Sequence, residues 1–324
     1  MRVLGLATVS TVAVSLCLVG CGSPDEPAPL DGTDVITTPS PSAPPTADPP
    51  TDPEIDRARQ ILGGAQISPD GRYSVTGDGD RVVIRTASGT EFDWFGTGSD
   101  WQVGAEFSPD GQRLAVGVQD AVVLYDFATK DPHAVMYPIG GDHLTKPRFS
   151  GDGAHLVVEE FDKARNGRFV VFDVRTERPV TSPYPPYIEV SSDPGKIWYA
   201  SELAVFDGGA KVVAAGEDGF LLWSTRSQTF DWVPCGCRGE LAAVDRAGRH
   251  VAFGARDGSI SMWTVSGPTE VKRWKPPGSG EGAGPPTLTF TEDGRHLLSK
   301  AGKDGYVWSV PEGKLVGSWR DAGA

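Results

Sequence analysis

Ala105-Glu-Phe-Ser-Pro-Asp-Gly-Gln-Arg-Leu-Ala-Val-Gly-Val-Gln-Asp-Ala-Val-Val-Leu-Tyr-Asp126 holds three short apolar runs split by turn chemistry. Proline presets a turn angle, aspartate bonds local backbone and glycine accepts a positive φ, so Ser108-Pro-Asp-Gly111 reads as a turn between paired strands. The same turn stands at Ser68 to Gly71. It is echoed at Ser150-Gly-Asp-Gly153, Phe206-Asp-Gly-Gly209, Asp245-Arg-Ala-Gly248 and Thr291-Glu-Asp-Gly294. Successive closing glycines lie 40, 42, 56, 39 and 46 residues apart. Four of the five intervals sit near the period of about 40 to 45 residues expected of a four-stranded propeller blade.

A second feature follows each turn: a Gly/Asp hairpin, then an apolar strand that often ends in Trp. Examples are Gly216-Glu-Asp-Gly-Phe-Leu-Leu-Trp223, Gly254-Ala-Arg-Asp-Gly-Ser-Ile-Ser-Met-Trp263 and Gly302-Lys-Asp-Gly-Tyr-Val-Trp308. From Arg57 to Trp319 the chain resembles the WD-repeat family. The family's Trp-Asp pair is replaced by Trp-Ser or Trp-Thr in later units and by Tyr125-Asp126 and Phe172-Asp173 in the middle ones. Its Gly-His pair is absent. The resemblance implies an all-β propeller of four-stranded blades, with Asp120, Asp218, Asp257 and Asp304 in hairpin turns as turn stabilisers. Six blades fit the length; a seventh would have to hide in the 56-residue interval, which is too short for two. The segment Arg57 to Leu62 is a candidate to pair with the last blade, closing the ring and removing a sheet edge.

Composition agrees with short strands and many turns: 324 residues include 41 Gly and 27 Pro. The net charge of −13 is uneven, because eight of the 43 acids and one of the 30 bases precede Arg57, which leaves −6 beyond it. With no concentrated basic surface, nucleic acid is not an expected partner.

Leu4 to Val19 is apolar and follows Arg2, and is too short for a comfortable bilayer span, so it reads as a signal peptide. Leu18-Val-Gly-Cys21 resembles the bacterial lipobox. That resemblance implies removal of residues 1–20, acylation of Cys21 and anchorage to the outer face of a cytoplasmic membrane. Residues 22–56 carry ten prolines and eight acids with no Lys or Arg. Such a tract favours an extended disordered tether of residues 21–56, ahead of a propeller over 57–324.

In an antiparallel meander the loops after strands one and three open at one end, and those after strands two and four at the other. The first set is short. The second is elaborated: 139–147, 162–168, 183–201, 234–239 and 276–286. Long loops on one face of a rigid ring commonly carry binding. There the aromatic patch Tyr184, Tyr187, Trp198 and Tyr199, beside Lys163, Arg165 and Arg168, is a candidate surface for a protein or peptide. The alternative for the aromatics is that they pin a long loop to its blade. Cys235-Gly-Cys237 is a candidate disulfide in an oxidising compartment, with a reactive or metal-binding pair as the other reading. His133, His143, His155, His250 and His296 lack metal-ligand spacing, and Gly77-Asp-Gly-Asp80 reads as a hairpin turn and not a calcium loop. No nucleophile elbow or phosphate loop occurs, so no cofactor or catalytic residue is assigned. Two functions stay open: a membrane-tethered interaction platform, or a propeller enzyme or small-ligand sensor using the central channel.

Overall fold

The computed structural model describes residues 52–321, apart from 63, 65, 97–101, 119–120, 137–142, 145–146, 162–166, 181–199, 218, 237–238 and 280–283. It is a six-bladed, all-β propeller of four-stranded antiparallel sheets. Blade 1 comprises β1 (Gln66–Ile67), β2 (Tyr73–Asp78), β3 (Arg81–Thr86) and β4 (Glu91–Gly96). Blade 2 comprises β5 (Gln102–Phe107), β6 (Arg113–Val118), β7 (Ala121–Asp126) and β8 (Asp131–Met136). In blade 3 the inner strand is split into β9 (His143–Leu144) and β10 (Arg148–Phe149), which pair with opposite ends of β11 (His155–Phe161). β12 (Gly167–Asp173) and β13 (Arg178–Pro179) complete it. Blade 4 comprises β14 (Ala200–Phe206), β15 (Lys211–Gly216), β16 (Gly219–Ser224) and β17 (Thr229–Pro234). Blade 5 comprises β18 (Gly239–Val244), β19 (His250–Ala255), β20 (Ile260–Thr264) and β21 (Thr269–Trp274). Blade 6 comprises β22 (Thr287–Phe290), β23 (His296–Ala301), β24 (Asp304–Ser309) and β25 (Leu315–Arg320).

The repeated turn joins strands one and two of each blade. Ser68 Oγ donates to Asp70 Oδ1 (2.7 Å) and accepts from the Tyr73 amide (2.9 Å). Ser108 does the same with Asp110 (2.6 Å) and the Arg113 amide (2.9 Å), and Thr291 with Asp293 (2.7 Å) and the His296 amide (3.0 Å). Gly71 and Gly111 close their turns at φ 69° and 68°, where a side chain is disfavoured. The Ser150 hydroxyl and Ala154 amide hold the Asp152 carboxyl below its usual range. Asp257 stabilises its hairpin as the resemblance implied, taking the Ser259 amide (2.9 Å) and hydroxyl (2.6 Å), which hold its carboxyl down at about 2. Asp304 instead pairs with Arg320 across β24 and β25. Asp120 and Asp218 lie outside the described residues.

Successive side chains on a strand point to opposite faces, and here the two faces serve two blade interfaces. On β15, Val212 and Ala214 enter the core between blades 3 and 4, while Val213 and Ala215 enter the core between blades 4 and 5. Such strands read as continuous small apolar runs because neither face meets water. Five blade–blade cores form in this way, from blades 1 and 2 round to blades 5 and 6. The aromatic residues near the ends of the third strands of blades 2, 3, 4 and 6 are part of them: Tyr125, Phe172, Trp223 and Trp308 are all buried. Trp308 Nε1 donates to Ser299 Oγ (2.8 Å).

The sixth interface differs. Arg57 to Leu62 does not pair as a strand; it is the second half of helix α1 (Pro53–Leu62), which begins inside the tract read as tether. Asp52 caps the helix by accepting the Glu54 amide (2.9 Å), Pro53 occupies the first helical position, and Glu54 and Asp56 suit the positive end. Ile55, Ala58 and Leu62 form an apolar stripe that packs on Leu298, Val307 and Trp319 of blade 6. Arg59 covers the Trp319 ring at 5.2 Å. A strand there would have divided those residues between two faces; the helix gathers them on one.

Candidate functional site

The inner strands of all six blades, with Arg57, Ile61 and Leu62 of α1, enclose a central cavity of about 270 Å³. Phe107, Phe149 and Phe290, near the ends of their inner strands, belong to blade–blade cores. Glu106 and Arg148, the residues just before two of these aromatics, line the cavity. They belong to an alternating chain of charges. Arg57 Nη1 meets Glu292 Oε1 at 2.8 Å, and Glu292 Oε2 meets Arg246 Nη1 at 2.7 Å. Arg246 also pairs with Glu106, Glu106 Oε2 with Arg148 Nη1 at 3.2 Å, and Arg148 with Glu202. Arg57 Nη2 donates to the Ile67 carbonyl of blade 1 (3.2 Å). The chain therefore touches α1 and every blade. Arg246 and Glu292 sit in turns after strand one, which places it toward the short-turn face. Burial by itself would lower the Arg148 pKa, but Glu202 and Glu106 outweigh it and hold the guanidinium above its ordinary range.

Three arginines and three glutamates make this array neutral, and each charge has an opposite neighbour. Its chemistry is that of a clasp between blades. Desolvation opposes each pair, and the shared carboxylates of Glu106 and Glu292 offset it by serving two guanidinium groups each. Nothing in the sequence reading had singled out these six residues.

No protein-family model matches this chain, and no curated protein is similar enough in sequence to count as a relative.

Of the expected partner patch, Tyr184, Tyr187, Trp198, Tyr199, Lys163 and Arg165 lie outside the described residues. Arg168 is described, and it is not on a surface. It is 3% exposed on β12, ion-paired with the fully buried Glu160 directly opposite on β11. A charge on that strand face points into the blade interface, where it needs a counter-charge, so Arg168 holds blade 3 together. The adjacent Glu159 faces the other way and is also buried. Burial pushes its carboxyl well above the usual range, against the Ala200 amide that donates to Oε2 (3.3 Å).

Cys235 is buried and disulfide-bonded, and its main chain accepts from Arg273 (3.4 Å); Cys237 lies outside the described residues, as does Cys21. Among the described residues no three His, Cys, Asp or Glu side chains are gathered as a metal ion would require, and no helix is long and apolar enough to cross a membrane.

Proposed function

We propose that this protein is a lipid-anchored, extracytoplasmic interaction platform. Cys21 carries the acyl anchor, the acidic proline-rich tract is the tether, and a WD-like propeller offers its elaborated face to a protein or peptide. The observation that carries this reading is the neutral clasp across the channel. The polar groups that converge at the centre already serve one another, while the ring fixes where the loops after strands two and four emerge.

Two measurements test it. Crosslinking on intact cells, followed by identification of captured proteins, is expected to yield a partner that is lost when Tyr184, Tyr187 and Trp198 are changed together to Ala; unchanged capture rejects the patch. Cys21→Ser is expected to move the protein from the detergent-dependent fraction to the soluble one, since acyl burial contributes about 0.8 kcal/mol per methylene. Retention of that variant in the membrane rejects the anchor. A second reading, a small-ligand sensor or enzyme of the central cavity, is favoured by the six charges around it. Saturable binding of a small molecule that is lost in Arg148→Met would select it.

A further inference from the structure

Glu159 is a carboxyl where the pattern of the ring calls for an apolar side chain. It stands on β11 two residues beyond Val157 and directly opposite Phe169 of β12, on the face turned to blade 4. Leu203, Val205, Val212 and Leu221 of blade 4 complete that core. Glu159 is 1% exposed, and its Oε2 accepts the amide of Ala200, the first residue of β14 (3.3 Å). Ala200 is itself half-buried at the edge of the same core. Among the described residues, the charged groups on the strands around Glu159 are Glu160 and Arg168, which face blade 2 and pair with each other, Glu202 and Arg148, which pair in the channel, and His155, Asp173 and Lys211, at the opposite ends of their strands.

This end of β14 is held lightly by its own sheet. The register with β15 shifts between Ala200 and Glu202, and the exposed Ser201 between them reaches back through Oγ to the Ala215 carbonyl (3.1 Å). Glu202 is the last acid of the central clasp and lines the cavity. We propose that Glu159 is a proton-operated latch on the start of β14: protonated, it keeps Ala200 seated against blade 3 and Glu202 seated in the channel, and on ionisation this end of the strand opens so that water reaches the carboxylate. A neutral carboxyl is tolerated in an apolar interface and a charged one is not. The Ala200 amide favours the charged form, but burial is the larger effect and pushes the carboxyl well above its usual range. Once the strand end opens, the carboxyl regains an ordinary pKa. The closed form therefore holds the proton more tightly: it is fully favoured below the ordinary glutamate value and loses about tenfold against the open form per pH unit above it, until the pH passes the closed-form value. Acid seats this wall of the cavity and alkali loosens it. Opening withdraws Glu202 from Arg148, which then keeps Glu106 alone.

Hydrogen exchange of the full chain, followed across a range of pH and corrected for the intrinsic rate, tests the latch. In the wild type, protection over residues 200–203 is expected to fall about tenfold per pH unit and then level. Protection in β21, an outer strand that opens without uncovering Glu159, is expected to stay constant. Glu159→Gln keeps an acceptor for the Ala200 amide and cannot ionise, and Glu159→Met fills the space without a charge; both are expected to give flat profiles over 200–203. Three results would overturn the proposal: a slope that persists in either variant, a slope shared by β21, or protection over 200–203 equal to that of β15 at every pH, which would mean that this end of the strand does not open by itself.

Discussion

Glu106→Gln is the sharpest probe of the central clasp. Glu106 is 7% exposed and takes Arg148 on one oxygen and Arg246 on the other. Two unit charges about 4 Å apart interact by about 4 kcal/mol at an effective dielectric near 20, and desolvation offsets much of that. Removing one partner of a buried pair costs about 3–5 kcal/mol, because the remaining charge stays where water cannot fully reach it. Arg148 and Arg246 keep Glu202 and Glu292, and their side chains retain 19% and 14% exposure, so the lower end applies. The expected loss is about 3 kcal/mol, or a fall in Tm of about 6 °C for a domain of this size. Urea unfolding followed by tryptophan fluorescence measures it. The control is Glu270→Gln, which breaks the half-exposed Glu270–Arg273 pair (2.7 Å) and is expected to cost under about 1 kcal/mol. If the two variants lose the same stability, the central charges do not clasp the blades, and the structural reading of the channel fails.

Other substitutions address separate links in the argument. Glu159 has a raised folded pKa, so the native state holds a proton that the unfolded chain releases, and its contribution to stability falls as pH rises above the unfolded value. Glu159→Gln is therefore expected to raise Tm at pH 7.5 and to lose that advantage at pH 4, as melting curves at the two values would show. A Cβ on Gly305 would lie 2.1 Å from the Trp319 ring, so Gly305→Ala is expected to cost about 1–3 kcal/mol. Gly79→Ala meets open space and suffers only from φ +61°, about 1 kcal/mol; a reversed order by chemical denaturation would contradict the packing of the last blade. Ile55→Ala, 1% exposed in the helix, is expected to cost about 2–4 kcal/mol and to raise proteolysis near residue 62.

The blades were legible because each is specified locally. Ser108, Asp110 and Gly111 bond to one another and to their own strands, and such a turn leaves the same trace every time it recurs. Helix α1 was read instead as the end of a tether followed by a strand: the prolines upstream masked the start signal Asp52-Pro53-Glu54, which itself uses proline and is followed by Ile55, Ala58 and Leu62 on one face. The clasp was not legible, since its members lie up to 235 residues apart between Arg57 and Glu292 and meet only because a ring brings inner strands together. A trace of it exists: Glu106-Phe107-Ser108 and Arg148-Phe149-Ser150 put a charge in an otherwise apolar strand, two residues before the turn. Arg168 failed as a surface residue for a related reason. Its place in a loop or a strand decides whether the guanidinium meets solvent or Glu160, and the loop read as 162–168 overlaps β12 by only two residues.

Five interfaces of this ring are continuous apolar cores, and the sixth is built from a ten-residue helix on one side and a polar blade face on the other. Such a seam gains less from burial than the others, because Ser74, Thr76 and Arg85 have little apolar area to remove from water. What crosses it instead is Arg57, which joins Glu292 of blade 6 to the Ile67 carbonyl of blade 1. Directional bonds then do at the seam what hydrophobic area does elsewhere, and they act from the same helix that receives the incoming chain at Pro53. Opening of the ring is accordingly expected to begin between α1 and blade 1, where backbone amides of β1 and β2 exchange before those of β15 or β19. The place where the chain enters the domain is thus also the place where its closure is weakest.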